Sequence, residues 1–427
     1  MIDLQWIRAN TELAKSRHSK RPNTSSEEIE HLIALDASRR SAQGKLDEAK
    51  TEANAAAQEV GKLFKTGQKD RAELLREKTK ELKATTASLE QAMREANDAL
   101  NAHWIQLPNL AFDEVPEGKN EEDNQEIRRS DRPCKEASAP HWEIAERLNL
   151  LRMDLGVKLS GSGFPVYVGG MAKLQRGLVS YFLDEANKAG YAEFQVPHLV
   201  NEDSARATGQ LPDKEAQMYE ATLDGLFLIP TAEVPLTNLY RDALIHENDL
   251  PIKLTGYTPC FRREAGSYGK EVRGLNRLHQ FDKVEVVQIV PPRDSKAAHQ
   301  DMVHHVEALL DALEMPFRIL NLCAGDLGFA AGITYDFEIW SPGQSRWLEV
   351  SSVSNFGTFQ TNRLRLRYRD QDNNKIKPHT LNGSALAIPR IVSGLLEQGW
   401  DGEVVHLPKV LHAYVGMDRL TKQDVRL

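Results

Sequence analysis

The most constraining feature of this sequence is a long series of regularly spaced apolar residues within its first hundred positions. From Ser25 to about Leu63 the chain has no proline, and Arg39 is the only polar interruption of the series. Its members follow alternating spacings of three and four: Leu32, Leu35, Ala42, Leu46, Ala49, Ala53, Ala56, Val60 and Leu63. This spacing is typical of a coiled-coil seam, so it predicts a long α-helix.

A second series of the same kind follows and predicts a partner helix. It consists of Leu75, Thr79, Leu82, Thr86, Leu89, Met93, Ala96 and Leu100. The segment between the two series, residues 62–71, contains Gly67, which can close a tight turn. Helices of ~38 and ~30 residues would form an antiparallel hairpin ~45–55 Å long at ~1.5 Å rise per residue. The many alanines allow a close approach of the two helices.

The predicted tip of this hairpin is basic. The cations near it are Lys62, Lys65, Lys69, Arg71, Arg76, Lys78, Lys80 and Lys83, against fewer acidic residues. A charge run on a coiled coil can simply be a solvated surface. It can also contact a nucleic-acid backbone, which is recognised electrostatically and by shape. The residues alone leave both interpretations open.

Composition limits the class of protein without identifying it. A chain of 427 residues exceeds one hydrophobic core and predicts two or more domains. The net charge of −8 argues against nonspecific nucleic-acid binding by the whole chain. The cysteines, Cys134, Cys260 and Cys323, are far apart and form no Cys-x-x-Cys, which predicts neither disulfides nor zinc and favours a reducing cytoplasm. No apolar stretch approaches ~18 residues, so no membrane association is expected.

From about residue 140 the sequence predicts an α+β domain. Within it, residues 256–285 carry the strongest chemical signal. They predict two strands joined by a long polar loop. Alternation places Arg262 and Glu264 on one face of the first strand, and Phe281 and Glu285 on one face of the second. A cation, an aromatic ring and two carboxylates on one surface suit a ligand that combines a phosphate, a flat base and an ammonium group.

Two segments upstream of this pair of strands are less specific. Residues 171–188 predict an amphipathic helix, and residues 192–200 a strand that contains Pro197, as an edge or irregular strand tolerates. Further on, Thr231 and Glu233 follow the strand-like residues 226–230 and open a helix. A helix-capping threonine with a glutamate in the first turn is a common stabilising arrangement, and it also holds both side chains at a rigid position.

The segment 347–355 predicts a strand that carries a carboxylate and hydroxyls. Glu349 and Ser352 offer oxygen ligands of the kind that suits Mg²⁺. A separation of three residues does not place two side chains on one face of a flat strand, so a bulge or local twist is expected between them. Read alone, the segment is also compatible with an ordinary strand bearing surface serines.

The segment 381–397 predicts a strand that ends at an Asn-Gly pair and a helix with Leu386, Ile391 and Leu395 as its apolar stripe. Asn382 and Ser384 are expected just before this helix. Arg390 is expected in its early turns, where a planar, permanent positive charge suits a triphosphate.

Together these segments resemble the three motifs of the class II aminoacyl-tRNA synthetases. Phe-Arg-Arg-Glu-Ala-Gly-Ser at 261–267 and His-Gln-Phe-Asp-Lys-Val-Glu at 279–285 are most similar to the seryl-tRNA synthetases. The likeness extends over nearly the whole chain, although Ala385 and Pro389 stand where the commonest seryl-type wording has glycines. It implies an α+β fold, with an N-terminal antiparallel coiled-coil hairpin arm followed by a class II antiparallel-sheet catalytic domain. The implied boundaries are an arm at 1–105 and a catalytic domain at 106–427, whose first part, 106–140, is a linker.

The resemblance also implies the roles of individual residues. Catalytic roles fall to Arg262 and Arg390. L-serine is expected to contact Thr231, Ala232, Glu233, Arg262, Glu285, Asn382 and Ser384. ATP is expected to contact Arg262, Arg263, Glu264, Leu278, Phe281, Glu349, Val350, Ser351, Ser352 and Arg390. Mg²⁺ is expected on Glu349 and Ser352, and tRNA on Lys62, Lys65, Lys69 and Arg71.

The implied activity is serine–tRNA ligation, EC 6.1.1.11, by a cytoplasmic homodimer. Its partners would be ATP, L-serine, tRNA(Ser) with its long variable arm, and tRNA(Sec) where that is present. Two alternatives remain. A paralogue that loads a carrier protein would not need the basic arm, and a non-enzymatic tRNA-binding scaffold would be expected to lose some of Arg262, Glu264, Glu285 and Arg390, which are all present.

Overall fold

A computed structural model describes residues 1–213, 216–264 and 273–425. The chain divides into two compact units. The first comprises Met1–Ser19 and Asn23–Pro108, and the second comprises Lys20–Pro22 and Asn109–Leu427. Within the described ranges, no helix is both long enough and apolar enough to cross a membrane.

The helices of the described residues, in chain order, are α1 Leu4–Ala9, α2 Thr11–Ser19, α3 Ser26–Lys65, α4 Lys69–Trp104, α5 His141–Arg147, α6 Met153–Ser160, α7 Gly170–Lys188, α8 Glu202–Thr208, α9 Glu233–Asn238, α10 Ser295–Ala312, α11 Phe359–Leu364, α12 Ile388–Gly399 and α13 His412–Val415. The strands are β1 Gln125–Arg129, β2 Ala192–Glu193, β3 Leu199–Asn201, β4 Glu220–Ala221, β5 Leu226–Leu228, β6 Leu244–His246, β7 Ile252–Phe261, β8 Gln280–Val290, β9 Phe317–Asn321, β10 Ile333–Ser341, β11 Arg346–Gly357, β12 Arg367–Arg369, β13 Lys375–Ile376, β14 His379–Ala387, β15 Val405–His406 and β16 Arg419–Leu420.

Helices α3 and α4 form the predicted hairpin in the first unit. Every apolar or threonine position of the two predicted seams is buried or half-buried, while most intervening positions are exposed. Gly67 closes the turn with a φ of +76°, a backbone conformation that glycine adopts without strain. The helices have 40 and 36 residues, so the hairpin is about 60 Å long, longer than predicted. The turn is shorter than residues 62–71 because both helices continue into that segment.

A buried carboxylate at the base of the hairpin was not predicted. Asp36 on α3 is inaccessible to solvent. It accepts hydrogen bonds from Arg8 at 2.6 Å, from Arg39 at 2.9 Å and from Arg40 at 3.1 Å. Three guanidinium groups thus compensate one buried negative charge, and Arg39, the polar interruption of the seam, is one of them.

The second unit is built on an eight-stranded sheet with the order β1-β9-β10-β11-β14-β8-β7-β2. All neighbouring pairs are antiparallel except β2 with β7 at one edge. Helices α7, α10 and α12 contribute apolar side chains to the core that covers one face of this sheet. The predicted fold class, a helical hairpin followed by an antiparallel-sheet domain, is therefore confirmed.

Alternation along β8 shows how the sheet separates core from site. Val284 and Val286 belong to the apolar core. The intervening Lys283 and Glu285 face the opposite side of the sheet, because successive side chains of a strand alternate between faces. The face that carries Lys283 and Glu285 holds the cavity described below.

The predicted strand at residues 192–200 is wrong in its continuity. The segment contains β2 at its start and β3 at its end, and these belong to different sheets. Pro197 lies between them, and proline cannot donate to a continuous strand ladder. The predicted helix at 171–188 is confirmed as α7.

The predicted strand end at Asn382-Gly383 is also wrong. β14 continues to Ala387, so Asn382, Ser384 and Leu386 lie in the strand, and α12 begins at Ile388. Ser384 pairs with Glu285 of β8, and this pairing with a neighbouring strand overrides the local turn signal.

Most of the segment interpreted as a linker, residues 109–140, belongs to the second unit. Its strand β1 pairs with β9, and Ala111 and Val115 are buried in an apolar cluster with Leu320 and Ile333. The predicted boundary between residues 105 and 106 remains a prediction.

Candidate active site

The open face of the sheet carries a cavity of about 750 Å³ in the second unit. Most of the predicted ligand-binding residues line it: Thr231, Glu233, Arg262, Glu264, Leu278, Phe281, Glu349, Val350, Ser351, Ser352, Asn382, Ser384 and Arg390. Ala232, Arg263 and Glu285 do not line the cavity wall. Residues far apart in the sequence are therefore brought to one site by the strand order.

Glu285 lies at the centre of a buried polar cluster behind the cavity wall. Its side chain is inaccessible, and its Oε1 accepts a hydrogen bond of 2.6 Å from the Thr231 hydroxyl. Its Oε2 accepts one of 3.0 Å from Nδ2 of Asn382. Lys283 forms an ion pair with the same carboxylate. A charge buried in this way requires such partners, and they fix the orientation of the carboxylate.

Glu233 supplies a second buried carboxylate at the start of α9. Burial and, next, the nearby Glu285 raise the pKa of Glu233 to about 7. Its backbone N–H donates to Oγ1 of Thr231 across 3.2 Å. Thr231 therefore contacts both acidic residues, but it is not the helix cap that was predicted, because α9 begins at Glu233 and its N-cap position is Ala232.

Arg262 and Phe281 lie together on the cavity wall. The Arg262 guanidinium carbon is 5.3 Å from the centre of the Phe281 ring, and Nε of Arg262 donates to the Pro230 carbonyl at 3.4 Å. This leaves the terminal nitrogens of a planar cation beside an aromatic face. A phosphate and a flat base can be bound side by side on such a surface.

The geometry of Arg262 and Glu264 differs from the predicted strand alternation. β7 ends at Phe261, so both residues lie beyond it, and Glu264 has a φ of +48°. The Glu264 backbone N–H donates to Oε1 of Gln217 at 3.0 Å, and its carboxylate pairs with Arg277. The central part of the predicted polar loop, residues 265–272, lies outside the described residues.

Arg263 turns away from the cavity. Its guanidinium carbon lies 5.1 Å from the centre of the Tyr219 ring, and its Nε donates to the Met218 carbonyl at 3.1 Å. The two neighbouring arginines thus have different surroundings, and Arg262 is the one that faces the site.

The expected bulge is present in β11. Glu338 pairs with Glu349 and Phe337 pairs with Ser351, so Val350 is the additional residue. The bulge brings Glu349 and Ser352 to the same side, where the Ser352 hydroxyl lies 3.5 Å from Oε1 of Glu349.

Arg390 in the first turn of α12 reaches this bulge. Its Nη1 donates to the Glu349 carbonyl at 2.5 Å and lies 3.5 Å from Oε2 of the same residue. Its Nε donates to the Asn276 carbonyl at 3.3 Å. Pro389 occupies the first turn of α12, where a helix has no internal use for the backbone N–H that proline lacks.

Several residues at the site were not predicted from the sequence. Lys283 lies between Phe281 and Glu285 on the same strand face, so strand alternation alone could have indicated it. Gln360, on α11, donates to Glu233, and no local sequence pattern indicated this contact. Asn276 contacts Arg390, and Arg277 contacts Glu264. Both contacts arise from the tertiary fold, and no local sequence pattern indicated them.

The described side chains that line the cavity include several carboxylates and no cysteine. Among the residues that the structure describes, no group of three or more histidine, cysteine, aspartate or glutamate side chains could hold a metal ion. Asp336 lines the same cavity and interacts with both Glu349 and Ser352, and these last two offer oxygen donors side by side. Such a pair fits Mg²⁺, which retains waters and completes its shell with phosphate oxygens.

Two family models match the chain. Residues 218–399 match the family model for the tRNA synthetase class II core domain (G, H, P, S and T), and residues 1–111 match that for the seryl-tRNA synthetase N-terminal domain. The chain is 45% identical to the serine–tRNA ligase of Salinibacter ruber over 98% of this chain and 99% of that protein. It is 42% identical to the serine–tRNA ligase of Synechococcus elongatus over 97% of this chain and 98% of that protein.

Among solved structures, the chain is similar to the crystal structure of seryl-tRNA synthetase from Pyrococcus horikoshii complexed with ATP. The TM-score is 0.91 at 31% sequence identity, covering 99% of this chain and 100% of that chain. The fold is that of a class II aminoacyl-tRNA synthetase. Within that class, the chain belongs to the seryl-tRNA synthetase family.

Proposed function

We propose that the chain attaches L-serine to tRNA(Ser) in two steps, as a serine–tRNA ligase (EC 6.1.1.11). The serine carboxylate attacks the α-phosphorus of ATP, which releases pyrophosphate and leaves seryl-adenylate. A ribose hydroxyl of the terminal adenosine of the tRNA then takes the seryl group. The observation that carries this proposal is the buried Glu285, held by Thr231, Asn382 and Lys283 beside Glu233 and Arg262.

The carboxylates assign one end of the cavity to serine. We assign the ammonium group and the hydroxyl of serine to Glu233 and Glu285, two buried carboxylates that interact with each other. The remaining proposed serine contacts are Thr231, Ala232, Asn382 and Ser384. Because the buried Ala232 does not reach the cavity wall, any contribution of this residue is made by its backbone.

The other end of the cavity suits ATP. Arg262 bridges the serine carboxylate and the α-phosphate, and Phe281 stacks on adenine with Glu264 and Leu278 at its edge. Arg390 binds the outer phosphates, which lie beside the backbone of Val350 and Ser351. In this assignment Arg263 supports the site through Tyr219 and Met218, because it points away from the cavity. Both chemical steps then depend on positioning and on stabilisation of charge that develops on oxygen.

We assign a magnesium ion to Glu349 and Ser352, which the bulge at Val350 places side by side. When bound, the ion supplies positive charge to the phosphate oxygens of ATP and of the departing pyrophosphate. Arg390, which contacts the backbone of Glu349, orients the same phosphates from the protein side.

The hairpin is proposed to bind the tRNA. Lys62, Lys65, Lys69 and Arg71 are exposed at its tip, where they can contact phosphates of the long variable arm of tRNA(Ser). The same shape-based contact would admit tRNA(Sec) in a cell that contains it. The basic tip favours a tRNA partner over a carrier protein.

We further propose that the enzyme is a homodimer in the cytoplasm. Phe194 and Tyr257 are large apolar side chains exposed near the β2 edge of the sheet, and Leu199 is exposed at the start of β3, within the segment predicted to form an edge or irregular strand. Equilibrium sedimentation of the protein and of a Phe194→Lys, Tyr257→Lys variant tests this assembly. A monomeric wild type would contradict it.

The proposed activity is tested by ATP–pyrophosphate exchange with each amino acid in turn, with and without tRNA. We expect exchange with serine only, and loss of most activity and selectivity in Glu285→Ala, because an unpaired buried polar group costs roughly 1–3 kcal/mol. Equal activation of threonine would contradict the assignment to serine. Serine exchange without any charging of tRNA would favour the carrier-loading alternative, and no exchange at all would favour a scaffold.

A further inference from the structure

Gln360 is a buried amide directly behind the proposed serine end of the cavity. It lies in α11 and is inaccessible to solvent. Its Nε2 donates to Oε1 of Glu233 at 2.5 Å and to the Thr208 carbonyl at 3.3 Å. Its Oε1 accepts a hydrogen bond of 2.7 Å from the Thr380 hydroxyl. Every polar group of this side chain is therefore used.

These contacts permit only one orientation of the Gln360 amide. If the amide were rotated by half a turn, its oxygen would face the Thr208 carbonyl and the Glu233 carboxylate, which are both acceptors. The Thr380 hydroxyl would also lose its acceptor. Buried polar groups left unpaired in this way are strongly unfavourable, so the amide is locked.

The charges around Glu233 show why this amide matters. The charged groups near Glu233 are Glu285, Lys283 and Arg262. Lys283 is already paired with Glu285, and Arg262 stacks on Phe281. The Gln360 amide is a neutral donor, so it stabilises the Glu233 carboxylate without supplying a charge that would compete with an ammonium ligand.

We propose that Gln360 is a positioning residue of the serine site, which holds one oxygen of Glu233 so that the other is presented to the ammonium group of serine. The substrate named here rests on the proposed function. Gln360 itself touches neither serine nor ATP, and it acts through Glu233. Thr380 and Thr208 are the anchors that fix Gln360.

The principal test is Gln360→Met, which keeps the length of the side chain and removes its hydrogen bonds. We expect the KM for serine in ATP–pyrophosphate exchange to rise ~10-fold, since a buried carboxylate loses a donor, with the KM for ATP changed less than ~2-fold. Thr380→Val removes only the anchor and should raise the KM for serine by a smaller factor. This second variant preserves side-chain volume and keeps the test decisive if the methionine variant folds poorly.

The matched control is Gln288→Leu. Gln288 is equally buried and donates to the Tyr191 hydroxyl at 2.7 Å, but it lies on the opposite face of β8 from Glu285. Its replacement should lower thermal stability without changing the KM for serine. If Gln360→Met behaves like this control, Gln360 is structural and the inference is overturned.

Two further measurements separate positioning from a general loss of structure. In a Glu233→Gln background, Gln360→Met should add little to the KM for serine, because the Glu233 carboxylate through which Gln360 acts is absent. The pH at which kcat/KM for serine reaches half its maximum should move upward in Gln360→Met, because the hydrogen bond that favours ionised Glu233 is missing. A full additional effect in the double variant, or an unmoved pH profile, would contradict the proposal.

The positioning role of Gln360 and the assignment of serine as the substrate can be contradicted separately. The pH dependence of unfolding of Gln360→Met, compared with that of the double variant, reports the coupling to Glu233 without any substrate. If the wild type exchanges another amino acid and not serine, the substrate assignment fails while a shifted unfolding profile still supports the coupling. If serine exchange is normal and neither profile moves, the role of Gln360 fails alone.

Discussion

The Thr231 hydroxyl and the Glu285 carboxylate are joined by a hydrogen bond of 2.6 Å that links the start of α9 to the middle of β8. The same Thr231 oxygen accepts the backbone N–H of Glu233. One hydroxyl group therefore sets the relative positions of two acidic residues that come from different elements.

Replacing Thr231 by valine should weaken serine binding with little effect on ATP. Glu285 would lose a donor within a buried site, a loss of about 1–3 kcal/mol, or roughly 5- to 150-fold in the KM for serine. Steady-state exchange kinetics measure this. Thr361→Val is the control, since this buried hydroxyl donates to the Thr358 carbonyl and lies away from the cavity wall. An unchanged KM for serine in Thr231→Val would contradict the assignment.

Glu233 should make the protein less stable as pH rises. Its folded-state pKa of about 7 lies above its usual value of 4.5, so the folded protein binds a proton more tightly than the unfolded chain. Its contribution to stability is fully present below pH 4.5 and is lost as pH rises through about 7, on the order of 3 kcal/mol as an upper value. Urea unfolding at pH 5 and pH 8 should show a smaller pH dependence in Glu233→Gln. If the free energy of unfolding changed by the same amount between pH 5 and pH 8 in the wild type and in Glu233→Gln, this prediction would be contradicted.

Arg262→Lys should reduce adenylate formation by at least ~100-fold, because a compact ammonium cannot bridge two oxyanions as a planar guanidinium does. The measurement is single-turnover formation of seryl-adenylate. Arg263→Lys is the adjacent control and should retain most activity, since Arg263 packs on Tyr219. Near-normal activity of Arg262→Lys would place the phosphate contact elsewhere.

The hairpin and the active site should be separable. A variant in which a short turn replaces residues 25–100 should still form seryl-adenylate, since every residue lining the cavity belongs to the second unit. The same variant should lose charging of tRNA(Ser). Charging at the full rate would show that the hairpin is only a spacer.

Charge reversal at the hairpin tip should weaken tRNA binding in a salt-dependent manner. Changing Lys65, Lys69 and Arg71 to glutamate should flatten the dependence of tRNA affinity on salt, because fewer phosphates are contacted. Exchange without tRNA should be unchanged. The same change at Lys45, Lys50 and Arg94, which are exposed midway along the hairpin, is the control and should have a smaller effect on the slope.

Two kinds of feature were predicted well from the sequence. One is a spacing that repeats over many residues, and the other is a spacing that a regular strand cannot accommodate. The seams of α3 and α4 repeat over many turns, so local noise averages out. The bulge in β11 could be inferred because Glu349 and Ser352 cannot share a face of a regular strand. The predicted residues that line the cavity were named from motifs in the sequence, and the fold brings these motifs to one cavity.

The features that the sequence did not reveal depend on partners distant in the chain. The buried Asp36 looks like a surface residue of a helix until Arg8 is placed beside it. The extension of β14 through Ala387 depends on pairing with β8, which a local Asn-Gly pattern cannot report. The role of Gln360 depends on its contact with Glu233, which lies on a helix more than a hundred residues earlier in the chain.

The extra residue at Val350 also limits how this part of the gene can change. Before it, odd-numbered side chains of β11 face the cavity, and after it even-numbered ones do, since one inserted residue reverses the alternation. A deletion of a single codon here would turn the following half of the strand over, and would move Ser352 and Ser354 to the core face and Val353 to the cavity face. The length of this strand therefore cannot change by one residue without exchanging the side chains of core and site.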